Sequence, residues 1–381
     1  MLLVQRGTPK MEDAILDFAN YVFSCAHEPH DFRKMIPKVY TKKGFAPLHH
    51  LVMDEGRIVG MAALYKTQWI QADHEPLNIG IIGQVSCHPY RGGEGIMRLA
   101  MEAVLKEAED KKLDLLILGG DRARYGYYGF DRVGTVAHYK MSVSTLKHRL
   151  KDVDENTITF IPMEGAKEEW IDSAYQYYRK LQSVMYRERE NFVPTLKNFF
   201  CTPILVMKDQ EVVGYFVKRN KSGDWEEWSI DKDAIIPATK RHLMDCLKEH
   251  GDGFFVLVPI WRLKECENLQ KISAGFRILP AKMMRVLNWQ KSLSSMLCLK
   301  AQTCPLPVGK GTFSIENVGT FELAYNGKKT SVTQVADENA PTYTKLEAHH
   351  LLFTLPGSLV APPELSPFLP LPAEISSPDY F

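Results

Sequence analysis

The pattern of apolar and polar residues is clearest between residues 77 and 130. A mainly apolar, β-rich run at residues 79–87 predicts a buried strand, and His88-Pro89 ends it because proline cannot donate to a strand ladder. Apolar residues then recur at helical spacing, which predicts a helix at about residues 95–111. Residues 113–118 predict a second buried strand. This region therefore reads as strand, glycine-rich turn, helix and strand.

The stretch before residue 77 predicts a helix and a hairpin. Residues 14–23 have helical apolar spacing, and the apolar runs at 48–53 and 57–65 flank an Asp-Glu-Gly turn. The hairpin pattern Leu-Val-Met, four residues, Ile-Val-Gly at 51–60 is echoed by Leu-Val-Met, four residues, Val-Val-Gly at 205–214. The repeat predicts two related domains, against the alternative that common strand residues coincide by chance.

The later pattern predicts a second copy of the first domain, and from about residue 283 a third region of different character. The second copy has no glycine turn before its predicted helix at 240–249, which predicts that it binds no phosphate. The charged run 186–190 is predicted to lie late in an aromatic helix and is interpreted as a solvated helix face with internal ion pairs. From about residue 283 the pattern predicts a helix, strands at 311–315, 319–325 and 330–335, and a helix at 344–352. The last 26 residues hold seven prolines and end in Asp379-Tyr380-Phe381.

Glycines and arginines occupy the turn between the first buried strand and its helix: Arg91, Gly92, Gly93, Gly95 and, within the helix, Arg98. A phosphate must approach the main chain closely, and a Cβ at these glycines would obstruct it. The free N–H groups and the dipole of the helix start then favour negative charge. The glycines alone leave an ordinary tight turn equally open, and neither the GxGxxG nor the P-loop pattern fits.

The order of these features resembles the GNAT acetyltransferase family. The resemblance rests on V-S-x-x-P-Y-R-G-G-E-G-I-M at residues 85–97, followed by a helix, a strand and Y-G-Y-Y-G-F at residues 125–130. Taking Gly95 as the family's central glycine places Gly92 where Arg or Gln is usual and Met97 where Gly or Ala is usual. Which arginine meets the phosphates, Arg91 or Arg98, is thereby left open. The Gly-Ile-Met sequence and the Asp-Tyr-Phe ending resemble the Eis ("enhanced intracellular survival") branch.

The resemblance implies a mixed α/β fold with three domains. These are an N-terminal GNAT domain (1–150), a degenerate GNAT-like domain (151–283) and a sterol-carrier-like domain (284–381). It also implies a homo-oligomer, hexameric in that branch. One acetyl-CoA is expected per chain, held by the strand end and the turn: Val85, Ser86, Cys87, Arg91, Gly92, Gly93, Gly95, Ile96 and Arg98.

The resemblance further implies the catalytic groups. Tyr125 would protonate the departing CoA thiolate, and the terminal carboxylate of Phe381 would enter the first domain's active site as the base. A base is needed because an amine of pKa about 10.4 is only about 1 part in 2,500 unprotonated at pH 7. The predicted strand carries no acid, which favours Phe381. The expected substrate-binding residues are His30, Asp31 and Asp379.

Several alternatives accompany this interpretation. One is a longer-chain acyl-CoA transferase of the N-myristoyltransferase type, and another is a non-catalytic acyl-CoA or lipid carrier. The adjacent Cys87 and His88 could form a nucleophile pair, but neighbouring strand residues point to opposite faces, so a structural cysteine is favoured. The polar loop 27–31 lacks metal-ligand spacing, and no metal is expected.

Composition limits the classes of partner. A chain of 381 residues is longer than a single hydrophobic core usually supports, so two or three domains are expected. Its content of 45% apolar and 24% charged residues is typical of a soluble globular protein. The net charge of +1 gives no support for nucleic acid or membrane binding. Seven scattered cysteines without CxxC spacing, and no signal peptide, predict a reducing cytoplasm. The expected acceptor is a small-molecule or lysine-type amine, whose identity the sequence does not specify.

Overall fold

Three β-sheets organise the chain in the computed structural model, which describes residues 1–381 apart from the side chain of His250. The first segment contributes β1 (Leu3–Arg6), α1 (Glu12–Ala26), α2 (Phe32–Met35), α3 (Pro37–Tyr40), β2 (His49–Asp54), β3 (Arg57–Gln71), β4 (Leu77–Cys87), α4 (Ile96–Asp110), β5 (Leu115–Leu118), α5 (Arg122–Tyr125) and β6 (Asp131–Val133).

The middle segment repeats much of this order. It contributes β7 (Val136–Met141), α6 (Val143–His148), β8 (Thr159–Pro162), α7 (Glu168–Arg179), β9 (Ser183–Met185), α8 (Phe192–Leu196), β10 (Cys201–Lys208), β11 (Glu211–Arg219), β12 (Trp225–Ile230), α9 (Ile235–His250), β13 (Phe254–Pro259), α10 (Leu263–Ile272) and β14 (Gly275–Leu279).

The last segment is smaller and ends in a tail. It contributes β15 (Lys282–Val286), α11 (Trp289–Thr303), β16 (Gly309–Ile315), β17 (Gly319–Tyr325), β18 (Thr330–Gln334), β19 (Thr342–Tyr343), α12 (Lys345–Phe353) and α13 (Leu355–Ser358), after which residues 359–381 run back across the molecule. The helix predicted at 344–352 is confirmed as α12. Thr344 and Glu347 cap its start, each accepting a hydrogen bond from the main-chain N–H of the other.

The two large sheets have the same strand order. The first runs β1-β2-β3-β4-β5-β15-β6, with β9 added beside β3, and the second runs β8-β10-β11-β12-β13-β7-β14. Each has a single parallel pair, β4 with β5 and β12 with β13, and all its other pairs are antiparallel. The third sheet has the order β18-β17-β16-β19. The chain is thus a mixed α/β protein.

The predicted repeat corresponds to two equivalent hairpins. In β2–β3 the register shifts between Val52 and Met53, and in β10–β11 it shifts between Val206 and Met207. Both turns are left-handed at their two central residues, which lie at 55–56 and 209–210. A shared bulge and a shared turn are a stronger match than shared strand composition.

Strands cross between the sheets near both predicted domain boundaries. β7 lies within the predicted first domain (1–150), yet it joins the second sheet, between β13 and β14. β15 follows β14 and joins the first sheet, between β5 and β6, and β9 of the middle segment pairs with β3 of the first sheet. β9 and β15 thus tie the middle and last segments to the first sheet.

The cores show how the segments are joined. One face of the first sheet packs with α1, α11, the third sheet and the tail in a continuous apolar cluster, while its other face packs against α4. The second sheet has its own clusters on its two faces. The third segment and the tail therefore share a core with the first sheet.

Candidate active site

The helix α4 begins at a glycine with no capping side chain. Gly95 lies in the left-handed region at φ 75°, and Gly93 does so at φ 86°. A Cβ placed on Gly92 or Gly93 would meet no other atom within 4 Å. The first N–H groups of α4 thus lie at an open turn, in a position where an anion can accept from them.

A cavity of about 830 Å³ surrounds this turn. Its walls come from the end of β4, the glycine turn, one side of α1 and the aromatic turn after α5. The lining residues are Val22, Phe23, Ala26, His27, Val85, Ser86, Cys87, Arg91, Gly92, Gly93, Glu94, Gly95, Ile96, Met97, Arg98, Arg124 and Tyr128. All nine residues predicted to hold the co-substrate are therefore brought together at one cavity.

The two arginines of the turn differ in their partners. Arg91 binds Glu94 through Nε, 2.8 Å from Oε1, and Asp54 through Nη1, 2.9 Å from Oδ2. The side chain of Arg98 is 70% exposed, and its Nε is 3.9 Å from the nearest oxygen of Glu102. Arg98 can therefore turn to a phosphate at lower cost than Arg91, whose charge two carboxylates already neutralise.

A bulge interrupts β4 beside the cavity. The register against β3 shifts between Met61 and Ala63, and Gln84 lies in the left-handed region at φ 55°. Gln84 is buried, and its Oε1 has no hydrogen-bond partner among the described residues. A bulge re-aims the main chain that follows it, here the N–H groups of Val85 and Ser86. No local pattern in the sequence indicated this bulge.

Phe381 lies against the bulged strand. A Cβ on Gly83 would overlap the main-chain carbonyl group of Phe381, so the close approach requires glycine at this position. The Phe381 ring packs near the rings of Tyr40, Tyr65 and His49, with centroids 6.0, 5.9 and 6.3 Å away. The end of the tail is thus held on β4, one residue before Gln84.

The tail is anchored by a buried ion-pair network. Arg187 binds both oxygens of Asp379, each at 2.7 Å, and both oxygens of Glu227 at 2.9 and 2.6 Å. Lys38 Nζ donates to the Asp379 carbonyl, and Asn198 Nδ2 donates to the Pro378 carbonyl at 2.7 Å. The interpretation of Arg187 as part of a solvated helix face is wrong, because its side chain is 2% exposed and α7 has already ended. Charge patterning could not reveal partners so distant in sequence.

The network shifts the pKa values of its members. Burial raises the pKa of Asp379, since one guanidinium serves two carboxylates. Burial also acts on Glu227, but the ion pair with Arg187 outweighs it and lowers the pKa of that carboxyl. Burial lowers the pKa of Lys38 to about 7. Both carboxylate oxygens of Asp379, a predicted substrate-binding residue, are therefore bound to Arg187 within this network.

The aromatic turn contributes two tyrosines with different surroundings. Tyr125 is 6% exposed, its ring packs on Gly120, and burial raises the pKa of its hydroxyl. Tyr128 lines the cavity, whereas Tyr127 is 92% exposed. A phenol is protonated at neutral pH, so the hydroxyl of Tyr125 has a proton to donate, and its raised pKa makes it a weaker acid than free tyrosine.

Most of the loop before α2, including His30 and Asp31, lies outside the wall of the cavity. Asp31 caps α2 by accepting from Arg33 N and Lys34 N, and its contacts with Lys34 lower the pKa of its carboxyl. His30 Nδ1 lies 2.6 Å from the Glu28 carbonyl. Of this loop, His27 lines the cavity. The predicted roles of His30 and Asp31 in substrate binding stay predictions.

Cys87 shows the features of a structural thiol. Its Sγ lies 3.5 Å from the Arg91 carbonyl, and burial raises the pKa of the thiol. Within the described residues, no group of three or more His, Cys, Asp or Glu side chains is placed to hold a metal ion. Nor does that part of the chain contain a helix of the length and apolarity that crossing a bilayer requires.

Comparisons with known proteins agree with this geometry. Residues 4–133 match the acetyltransferase (GNAT) domain family, and a comparison with curated proteins finds no match. A GCN5-related N-acetyltransferase from Kribbella flavida superposes with a TM-score of 0.67 at 12% identity, over 100% of this chain and 98% of that one. A probable N-acyltransferase from Enterococcus faecalis gives 0.61 at 17% identity, over 90% and 87% of the two chains. Eis1 from Mycobacterium abscessus gives 0.60 at 12% identity, over 92% and 89%.

Sequence identities this low show only that the fold is shared. The chemistry is indicated by the match of residues 4–133 to the acetyltransferase domain family. The match spans β1 to β6 and contains the glycine turn, the bulged strand and the aromatic turn. Residues 4–133 form an acetyltransferase (GNAT) domain that takes an acyl-CoA as co-substrate, and this chain is an acyltransferase.

Proposed function

We propose that this chain transfers the acetyl group of acetyl-CoA to a primary amine, as an enzyme of the Eis type. One observation supports this above all: the open turn of α4 and the end of the tail meet the same strand, β4, on either side of its bulge. A phosphate bound at the turn and the carboxyl group of Phe381 would then lie at the two ends of a short stretch of backbone.

The turn suits the pyrophosphate of CoA. The N–H groups at the start of α4 and the side chain of Arg98 would hold the phosphates, with Arg91 fixing the turn through Glu94 and Asp54. The co-substrate supplies an activated acyl group as its thioester. The N–H groups of Val85 and Ser86, re-aimed by the bulge, would stabilise negative charge that develops on the acyl oxygen.

Two protein groups would move the protons. The carboxyl group of Phe381 would accept a proton from the incoming ammonium, directly or through a water, so that the amine can attack. Tyr125 would donate its proton to the departing sulfur. The phenol is protonated at neutral pH, and because burial raises its pKa, the transfer to a thiolate of pKa about 8.5 is uphill and depends on close positioning.

The second sheet would serve a different purpose from the first. We interpret the middle segment as a GNAT-like domain that binds no CoA, because α9 starts at buried Ala234 and Ile235 without a glycine turn. The indole of Trp228 also spans its parallel strands by donating to the Leu257 carbonyl at 3.1 Å. One CoA per chain is therefore expected.

The remaining assignments complete the proposal. The third segment, with its four-stranded sheet and helices, would be the sterol-carrier-like domain, and the chain would assemble as a homo-oligomer, a hexamer by resemblance, in the cytoplasm. Its partner would be an amine, either a small molecule or a lysine side chain.

Thiol release provides the direct test. The full chain is mixed with acetyl-CoA and a panel of amines (a polyamine, an aminoglycoside, a lysine peptide), and free CoA is measured with a thiol reagent. We expect amine-dependent release that Tyr125→Phe strongly reduces. Binding of acetyl-CoA without release would indicate a carrier. Release only from a long-chain acyl-CoA would contradict the acetyl assignment.

A further inference from the structure

A second cavity, of about 330 Å³, lies between the second sheet and the tail. It lies where β12 and β13 diverge beyond their single paired position, Trp225 with Val256. Large apolar side chains form much of its wall: Trp228, Trp261, Tyr178, Tyr380, Leu257 and Leu279. Leu279 is 38% exposed and marks an entrance on the outer strand β14.

Most charged groups in this wall are satisfied within the protein. Arg219 pairs with Glu226, and Arg187 pairs with Glu227 and Asp379. Arg262 binds Glu265 at 3.1 Å and covers the ring of Trp228. These groups need no ligand to offset their charge.

Two further titratable residues of the wall have pKa values shifted by burial. Glu374 accepts from the Thr135 N–H and from Trp261 Nε1, and burial raises the pKa of its carboxyl to about 7. Burial lowers the pKa of His138, so its ring is neutral at physiological pH.

Lys282 differs in its partners. It lines the cavity, and its side chain makes neither a hydrogen bond nor an ion pair with any described residue, while burial lowers the pKa of its ammonium group. Its Nζ lies 4.6 Å from the centre of the Tyr380 ring, a cation–π contact that leaves its three N–H donors unused. Burying an ammonium without an acceptor is costly, and a ligand anion would recover that cost.

We propose that this cavity is a second ligand site, which binds a small carboxylic acid as its carboxylate, with the carboxylate on Lys282 and an apolar body between Trp228, Trp261 and Leu257. Its volume falls at the lower end of small-molecule pockets, which have apolar walls and a few fixed polar groups. This site is distinct from the turn of α4, and it stands whether or not the proposed transfer to amines is correct.

Calorimetry on the full chain tests the proposal with hexanoate and with hexanamide, its neutral counterpart of the same length. We expect hexanoate to bind, and Lys282→Met to weaken its affinity by about tenfold or more through loss of a charge-assisted contact. The much weaker affinity for hexanamide should be unchanged in that variant. Lys264→Met, at the start of α10, is the matched control and should bind hexanoate like the wild type.

A second variant removes the space instead of the charge. Leu257→Trp fills the cavity and should abolish the binding of hexanoate while Lys282 is retained, with folding checked by the melting temperature. The proposal is overturned if the wild type does not bind hexanoate, if Lys282→Met binds it with wild-type affinity, or if the filled cavity still binds it.

Discussion

The two large sheets share one strand order, but the helices that follow their fourth strands begin differently. α4 starts at Gly95 after an open turn, whereas α9 starts at Ala234, which is 2% exposed and lies in an ordinary helical conformation. In the first sheet the N–H groups of the helix start line a cavity, and in the second the corresponding start is covered. Topology therefore determines where an anion site can form, and a few residues determine whether it does.

The middle segment directs polar side chains at the tail instead. Arg187, Asn198 and Trp261 bind tail residues, at Asp379, Pro378 and Glu374. These contacts hold Phe381 on β4 of the first sheet. On the proposed function, the first sheet would carry the co-substrate site and the middle segment would position a catalytic group at that site. The following variants test this division.

The largest effect is expected at the start of α4. Gly95→Glu adds a side chain and a negative charge where the pyrophosphate would lie, and it forces a non-glycine residue into a left-handed conformation. Calorimetric titration should show no acetyl-CoA binding. Lys232→Glu, which places the same charge before α9, should leave one molecule bound per chain with unchanged affinity. Two saturable sites per chain in the wild type would contradict the comparison.

Loss of the Phe381 carboxyl group should come next. Deleting Phe381, or extending the chain beyond it, removes or displaces the base and should lower kcat about 10²–10⁴-fold. Gly83→Ala should act in the same direction because its Cβ would collide with Phe381. Gly275→Ala meets nothing within 4 Å and is the matched control. Wild-type kcat/KM in an extended chain would rule out the Phe381 carboxyl group as the base. The residues of the 27–31 loop would then be the next candidates.

A smaller loss is expected in the aromatic turn. Tyr125→Phe should lower kcat about 10²-fold with little change in CoA affinity, since its hydroxyl acts on the leaving sulfur. Tyr128→Phe is the matched control, as Tyr128 lines the cavity in the same turn. Steady-state kinetics and CoA titration of both variants separate the roles. If Tyr128→Phe is the damaging change, the assignment of the acid is incorrect.

The smallest effect concerns stability. The folded-state pKa of Glu374 is about 7, above its ordinary value, so this carboxyl contributes stability at low pH that is lost as the pH rises through 7. Glu374→Gln does not titrate. Relative to the wild type it should gain about 2 kcal/mol in unfolding free energy between about pH 5 and pH 8. Buried His49 and His349 titrate in both proteins and cancel in this comparison.

Urea unfolding at both pH values measures the difference. Glu374→Gln also loses one of two accepted hydrogen bonds, which lowers its stability at every pH without changing the pH dependence. An equal pH dependence in both proteins would show that Glu374 ionises normally, and that the second sheet holds the tail through other contacts.

The local pattern predicted much of the first unit. The strand, glycine turn and helix of residues 79–111 appear as β4 and α4 with boundaries close to those predicted, and the two hairpins appear with the same bulge and turn. These features depend on residues near in sequence, whose apolar spacing and glycines are visible directly. The nine co-substrate residues adjoin one another for the same reason.

The sequence by itself therefore determined the local elements, the glycine turn and the identity of its candidate chemistry. Only the tertiary structure decided that β7 and β15 change sheets, that Gln84 forms a bulge and that Arg187 joins Glu227 to Asp379. Each of these depends on residues from different parts of the chain: β7 and β15 each pair with a strand on both sides, the bulge arises from register against β3, and a buried guanidinium requires carboxylates brought to it by folding. The spacing of apolar and polar residues within one segment gives no information about partners in another segment.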